Sequence, residues 1–150
     1  MDMQINTALF GPQEIQDDDI ITFPQGLPGF EENTRFKVFH EEGKPTVHWL
    51  QSVDYEDVCL SMMEPTTLNL AYEFNISEEQ SSLIDMQNED ELLVFVILSK
   101  DNVTDSEAVP SDNKIKANLT GPIVINSRSR KAFQASLSRA ERITLIRAIS

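Results

Sequence analysis

Apolar and polar side chains alternate along short stretches of this chain with a period of two residues. Candidate strands lie over residues 48–53 and 58–63, and the alternation itself is clear over residues 3–9 and returns over residues 35–40. Such a period sends successive side chains to opposite faces of an extended strand. Residues 92–99 are almost entirely apolar, which predicts a central strand buried on both faces. Shorter strands are predicted over residues 20–23, 114–119, 122–126 and 133–137, with a hinge at Thr120–Gly121.

Helical patterns are fewer. Ser77 and Gln80 form a capping box that opens one or two turns of helix. A second box begins at Ser138, and apolar residues then recur with helical spacing, which predicts a basic amphipathic helix over residues 139–149. The whole pattern predicts a mainly β fold: a small antiparallel barrel or sandwich with one short helix mid-chain and a C-terminal amphipathic helix.

The length predicts a single domain over residues 1–150, with a β scaffold over residues 1–137 and a basic helical tail over residues 138–150. The chain has 12 basic and 25 acidic side chains, a net charge of −13. Residues 127–150 hold six basic side chains and one acidic one, so the rest carries six against 24. A body this acidic repels phosphate backbones, which argues against direct binding of DNA or RNA. A basic protein partner or simple solubility would explain the charge.

Side chains suited to catalysis or metal binding are scarce. Cys59 is the sole cysteine and lies in an apolar run, so neither an internal disulfide nor a thiolate metal cluster is expected. With only His40 and His48, a histidine-based triad or a three-histidine metal site lacks its parts. The acidic clusters at residues 17–19 and 88–91 are contiguous, so their carboxylates diverge around the chain. We therefore predict no catalytic residue, no metal, no cofactor and no enzymatic activity.

Two features predict a cytoplasmic protein without a membrane span. The first residues, MDMQINTALFGPQ, lack the basic start and the apolar core of a secretion signal. The longest apolar run, from Leu92 to Leu98, is far below the ~20 residues that a membrane helix needs.

The segment TFPQGLPGFEEN, residues 22–33, combines turn-forming residues with aromatic ones. Gly26 and Gly29 reach positive φ readily, and Pro28 lacks a backbone donor, so a shaped loop is predicted. Phe30 is expected to plug the end of the barrel, with exposure to a partner as the alternative. Glu31 is expected either to accept hydrogen bonds from the loop's own amides or to face a partner.

Several motifs, in their order and spacing, resemble the flagellar assembly factor family FliW. The motifs are FPQGLPGFE at residues 23–31, WLQS at 49–52, a Pro65…Tyr72 pair, and NLTGPIVIN at 118–126. The resemblance covers residues 3–134. It implies a small β-barrel-like domain, without enzymatic activity, that binds either flagellin or the RNA-binding translational repressor CsrA. In such a switch, secretion of flagellin frees the factor to sequester CsrA and relieve repression of flagellin translation.

The chain departs from that family pattern at three places. Gly121 stands where members commonly have alanine, a change that concerns fold detail. The C-terminal residues predict a basic helix where members usually close with a strand. The polar loop over residues 100–113 is individual to this chain.

Candidate partner-binding residues are the acidic turns and the aromatic residues of the motifs. They are Asp17, Asp18, Asp19, Phe30, Glu31, Trp49, Asp54, Glu56 and Asp57. The motif residues expected to shape the fold are Gly26, Leu27, Pro28, Gly29, Asn118, Leu119, Pro122 and Asn126. Asn118 and Asn126 are expected to bond the backbone of the hinge at Gly121–Pro122, and Trp49 is expected in the core more than at an interface. A small carboxylate-based hydrolase and a carbohydrate- or peptide-binding β-module are the alternative functions.

Overall fold

The computed structural model describes residues 2–41, 43–73, 75–87, 90–100, 115–137 and 142–145. The strands are β1 (Asp2–Thr7), β2 (Gly11–Gln16), β3 (Ile21–Thr22), β4 (Arg35–Glu41), β5 (Lys44–Ser52), β6 (Cys59–Met63), β7 (Leu70–Glu73), β8 (Leu92–Lys100), β9 (Ile115–Asn126), β10 (Lys131–Gln134) and β11 (Arg142–Leu145). Within these residues, helix α1 spans Glu78–Leu83, and 3₁₀ turns span Asp17–Asp19 and Pro65–Leu68. Most of the predicted polar loop, residues 101–113, lies outside the described residues.

Seven strands close into a barrel in the order β10-β3-β4-β5-β6-β8-β9. Neighbouring strands are antiparallel except β10 and β3, which run parallel and share only the pair Lys131 and Thr22. Inward side chains alternate with outward ones along each strand and fill the interior. The buried interior cluster consists of Ile21, Phe23, Leu27, Phe36, Leu50, Met62, Phe95, Ile123, Ile125 and Ala132. This architecture confirms the predicted mainly β fold class.

A second, smaller core forms where α1 meets β9 and β10. Its buried members are Ile84, Val124, Phe133 and Ala135. The predicted capping box at the helix start is confirmed, because the Ser77 hydroxyl accepts the Gln80 N–H at 3.1 Å and Gln80 Oε1 accepts the Ser77 N–H at 2.9 Å. No helix in the described part of the chain is long and apolar enough to cross a membrane.

The predicted hinge at Thr120–Gly121 is a bulge within one strand. β9 continues through it, yet Ile123 pairs with Phe95 while Asn118 pairs with Ile97. Residues 119–122 therefore oppose Val96 alone, and the extra residues bend the strand without ending it.

The two motif asparagines do not bond the hinge backbone as predicted. Asn118 accepts a hydrogen bond from the Thr120 hydroxyl at 3.2 Å. Asn126 is fully buried and donates to the Ile84 carbonyl at 3.0 Å and to the Asp90 carboxylate at 2.9 Å. Its role is to connect the end of α1 to the start of β8, which a reading of local turn chemistry could not reveal.

The burial of β8 is less complete than its apolar sequence predicts. Phe95 and Val96 are both buried, but Leu93 is exposed to 38%. Successive side chains are buried together only beside the β9 bulge, where the local pairing register shifts.

The predicted C-terminal helix is wrong over residues 142–145, which form β11. This strand pairs antiparallel with β7, with Ile143 opposite Tyr72. Ile143 and Thr144 are β-branched and favour a strand, and an adjacent strand edge supplies hydrogen bonds to a segment too short for a stable helix. The rest of the predicted helix lies outside the described residues. Neither β7 nor β2 was predicted.

The β1–β2 hairpin packs on the outer wall of the barrel. Phe10, near its tip, stacks on Phe39 with ring centroids 5.1 Å apart and meets the edge of Trp49 at 6.3 Å. Trp49 is half-buried in this cluster and faces away from the barrel interior. Its neighbour Leu50 is the residue that enters the core.

Gly26 sits where the loop over residues 23–33 turns back on itself. Its φ is +69°, and a Cβ placed there would lie 2.5 Å from the backbone oxygen of Glu31. The adjacent Leu27 is 1% exposed and belongs to the interior cluster. Gly11 has the same φ of +69° with nothing within 4 Å of such a Cβ.

We expect Gly26→Ala to destabilise the fold more than Gly11→Ala. Both substitutions force a side chain into the left-handed region, which costs about 1–2 kcal/mol. Only the change at Gly26 adds a collision with backbone, worth about 1–3 kcal/mol more. Urea unfolding of both variants measures the difference, and equal losses of unfolding free energy would contradict the role assigned to Gly26.

His40 and His48 face each other across β4 and β5, with ring centroids 4.4 Å apart. His48 also packs on Phe95 at 4.9 Å, and its Nδ1 is buried without a hydrogen-bond partner. Burial, followed by the neighbouring His40, lowers the pKa of His48, and Glu64 acts in the opposite direction.

The lowered pKa of His48 predicts a loss of stability in mild acid. The unfolded chain gains a proton near pH 6.5, whereas the folded chain resists it. The free energy of unfolding should therefore fall as the pH drops below about 6.5 toward the lower folded pKa. The free energy of unfolding, measured with urea between about pH 5.5 and 7.5, should change less steeply with pH for His48→Gln than for the parent. Identical pH dependences of the two proteins would rule this out.

Candidate functional site

Exposed apolar side chains gather at one end of the barrel. Among the described residues the large exposed hydrophobic side chains are Leu9 at 57%, Tyr55 at 45%, Phe30 at 43% and Leu93 at 38%. The first three belong to neighbouring segments, namely the hairpin tip at residues 7–11, the loop at 23–33 and the turn at 53–58. We call the surface formed by these three segments the end surface.

Hydrogen bonds connect the three segments. The Ala8 N–H of the hairpin tip donates to the Glu56 carbonyl in the turn at 3.3 Å. The Tyr55 hydroxyl in the same turn donates to the Glu32 carboxylate of the loop at 3.2 Å. The turn at residues 53–58 therefore lies between the other two segments and touches both.

The side chain of Gln51 stabilises the conformation of the turn at residues 53–58. Its side chain is completely buried at the end of β5, and its Nε2 lies 3.1–3.4 Å from the carbonyl oxygens of Ser52, Tyr55, Glu56 and Val58. One NH₂ group, which has two hydrogens to donate, thus lies within hydrogen-bond distance of four backbone acceptors.

Ser52 and Arg35 fix the turn to the loop. The buried Ser52 hydroxyl donates to Asn33 at 2.6 Å and accepts the backbone N–H groups of Asp54 and Tyr55 at 3.3 and 3.1 Å. Arg35 forms an ion pair with Asp54, whose hydrogen bond raises the pKa of the guanidinium. Asp54 is therefore neutralised within the chain and contributes little net charge to the surface.

The remaining carboxylates surround the exposed apolar groups. Glu32, Glu56 and Asp57 are all exposed. Glu31 accepts the Gly29 N–H at 2.6 Å, so the predicted bond to the loop's own amides is present. The hydrogen bond to Glu32 raises the pKa of Tyr55. The end surface thus has an apolar centre with an acidic rim, which is the general anatomy of a protein-binding patch.

The structure brings some of the predicted partner-binding residues together and separates others. Phe30, Asp54, Glu56 and Asp57 share the end surface, whereas Glu31 lies on the other side of the loop at residues 23–33. The expectation that Phe30 plugs the barrel is wrong, because Phe23 and Leu27 fill that space and Phe30 projects outward. Leu9, Glu32 and Tyr55 were missed, because only the folded hairpin and loop place Leu9 and Glu32 beside the turn that contains Tyr55.

The acidic run Asp17–Asp19 lies elsewhere. It forms a 3₁₀ turn after the base of the β1–β2 hairpin, where Gln16 pairs with Asp2. The hairpin tip at Gly11 is five residues away along β2, roughly 17 Å. The Asp19 carboxylate accepts the Gln16 N–H at 2.9 Å, a local structural bond. These carboxylates therefore form a separate patch.

The geometry offers little to the alternative functions. Trp49, Phe10 and Phe39 pack on one another and leave no exposed aromatic row for a sugar at that position. Burial raises the pKa of the Cys59 thiol to about 11, which keeps it protonated. No group of three or more His, Cys, Asp or Glu side chains within the described ranges is arranged to hold a metal ion.

Comparison with known proteins gives a consistent result. The family model described as FliW protein matches residues 4–146. The flagellar assembly factor FliW of Azoarcus sp. (strain BH72) is 41% identical over 138 residues, covering 91% of this chain and 92% of that relative. The flagellar assembly factor FliW of Thermoanaerobacter pseudethanolicus is 34% identical over 142 residues, covering 93% of this chain and 88% of that relative.

A solved structure is also similar. It is a crystal structure of the flagellar assembly factor FliW, with a TM-score of 0.78 and 28% sequence identity. The alignment covers 91% of this chain and 90% of the solved chain. The fold is therefore shared over nearly the whole length of both chains.

We expect Gln51→Leu to loosen the turn at residues 53–58 selectively. Removing the amide takes away its hydrogen bonds to these carbonyls, a loss of about 0.5–1.5 kcal/mol per bond, while the Tyr55, Glu56 and Val58 carbonyls keep one backbone donor each. Hydrogen exchange should accelerate at the amides of residues 54–58. Gln13→Leu is the matched control, since Gln13 donates to the Phe10 carbonyl in the hairpin at 2.8 Å. Unchanged exchange in the Gln51 variant would contradict the supporting role.

Proposed function

The chain belongs to the FliW family of flagellar assembly factors, and on that premise we propose that it acts in the cytoplasm as a non-enzymatic partner switch. In this proposal it binds flagellin or the RNA-binding regulator CsrA, one at a time. Binding of CsrA antagonises its repression of translation. Neither a cofactor nor direct contact with nucleic acid is part of the mechanism.

The observation that carries the proposal is the end surface. Leu9, Phe30 and Tyr55 expose apolar area that a partner can bury at about 25 cal/mol per Å². The rim carboxylates Glu56 and Asp57 are free to meet a cationic protein. An RNA-binding regulator carries positive charge for its nucleic acid, so its surface is complementary to this one.

Exclusive occupancy follows when both partners bury the same apolar centre. Each partner then raises the apparent dissociation constant of the other by mass action, without any change in the shape of the barrel. Release of flagellin by secretion would free the end surface for CsrA.

We expect CsrA and flagellin from the same organism each to bind this chain with a dissociation constant below about 10 μM, or roughly −7 kcal/mol. Calorimetric titration measures both affinities. A second titration into the preformed complex should show competition. Failure of both proteins to bind, or formation of a ternary complex with undiminished affinities, would remove the basis of the proposal.

Matched substitutions locate the contact. Phe30→Ser should weaken binding by about tenfold or more, as expected for an exposed anchor, whereas Leu93→Ser, on β8 and of similar exposure, should not. Glu56→Lys should weaken CsrA binding more than Asp18→Lys, although both change the net charge equally. If the two members of each pair behave alike, the partner does not use the end surface.

A further inference from the structure

A groove runs along the other side of the loop at residues 23–33. It consists of two adjacent hollows of about 540 and 190 Å³ that share Gln25 and Leu83. The larger lies against the first turn of α1 at Glu78 and Glu79. The smaller lies between the loop and β10. None of the three end-surface anchors, Leu9, Phe30 and Tyr55, lines either hollow.

The smaller hollow follows the edge of a strand. Ala132, Phe133 and Gln134 are consecutive, and all three line it. Because successive side chains of a strand point to opposite faces, a hollow that touches three in a row lies beside the strand and not above one face. It therefore gives access to the backbone of β10.

That backbone edge has little to pair with inside the chain. β10 pairs with β3 only through Lys131 and Thr22. The Ala135 N–H donates to the Pro122 carbonyl at 2.8 Å, so Ala135 faces β9, and by alternation the backbone groups of Gln134 face the groove. The described residues supply no backbone partner for Gln134 on that side. An open edge of this kind is a template for another strand.

The side chains that line the groove determine which kind of strand can bind there. Leu83, Phe133 and Pro28 provide apolar contacts, and Glu31, Glu78 and Glu79 provide carboxylates. No basic side chain lines either hollow, and the nearby Lys131 is already paired with Asp85 at 2.7 Å. The groove therefore favours an occupant that combines apolar and cationic side chains.

We propose that this groove docks an extended segment of a partner protein, with alternating apolar and basic side chains, as an added strand along β10. Backbone hydrogen bonds to Gln134 fix the register of the added strand. The side chains that line the groove select its sequence, as in other cases of strand addition. The site is separate from the end surface, so the inference does not rest on which proteins that surface binds.

The test uses the full chain and a fluorescein-labelled eight-residue peptide of alternating valine and lysine, read by fluorescence anisotropy in about 150 mM salt. We expect a dissociation constant of about 10–100 μM. Glu78→Lys/Glu79→Lys should weaken binding by about tenfold. The matched control Glu56→Lys/Asp57→Lys changes the charge equally at the end surface and should leave the affinity within twofold. A peptide with the same composition but four lysines followed by four valines should bind at least fivefold more weakly.

Hydrogen exchange provides a measurement that charge attraction between peptide and protein alone would not change. Binding of the alternating peptide should slow exchange of the Gln134 amide, and a peptide N-methylated at every second residue should neither bind nor protect it. The inference is overturned if no peptide binds up to about 1 mM, or if binding follows the end-surface variants. It is equally overturned if the Gln134 amide stays unprotected, or if the edge proves to be occupied by a second copy of the chain in sedimentation measurements.

Discussion

Closure of the barrel depends on a strand that is only two residues long. β3 joins β10 through a single residue pair, so the sheet alone leaves a gap at this seam. The loop that follows β3 fills it from within: Phe23 and Leu27 are buried in the interior cluster, each worth about 1.5–3 kcal/mol of burial. Short backbone bonds hold the loop, including Gly26 N–H to the Phe23 carbonyl at 2.8 Å and Phe30 N–H to the Leu27 carbonyl at 2.7 Å. The loop is therefore part of the barrel wall.

A loop used as wall has two outer sides, and each side contributes to a different surface. Phe30 and Glu32 turn toward the end surface, where Glu32 accepts the Tyr55 hydroxyl. Gln25, Pro28 and Glu31 turn toward the groove beside β10. The glycines that make the turns and the residues that face outward thus lie in one short motif, because the geometry that closes the barrel also sets the direction of every exposed side chain in it.

The sequence predicts those parts of the fold that local patterns control. The alternation over residues 35–40, the capping box at Ser77 and the turn chemistry of the loop were sufficient, and the alternation over residues 3–9 predicted β1 except for its end at Thr7. What it could not predict depends on distant partners. Residues 142–145 became a strand because β7 offered an edge, and Asn126 turned toward the end of α1. Phe30 looked like core from its neighbours, but Phe23 and Leu27 had already occupied the interior.

We expect such a scaffold to recognise a partner through a preformed surface more than through a conformational change. The turn at residues 53–58 is held by Gln51 and Ser52 from below and by Arg35 from the side, so its apolar and acidic groups are arranged before any partner arrives. A preformed patch avoids the entropy of ordering a loop on binding. It also restricts how two partners can exclude each other. In the proposed switch, a turn held in this way favours competition through overlapping footprints on the same apolar centre.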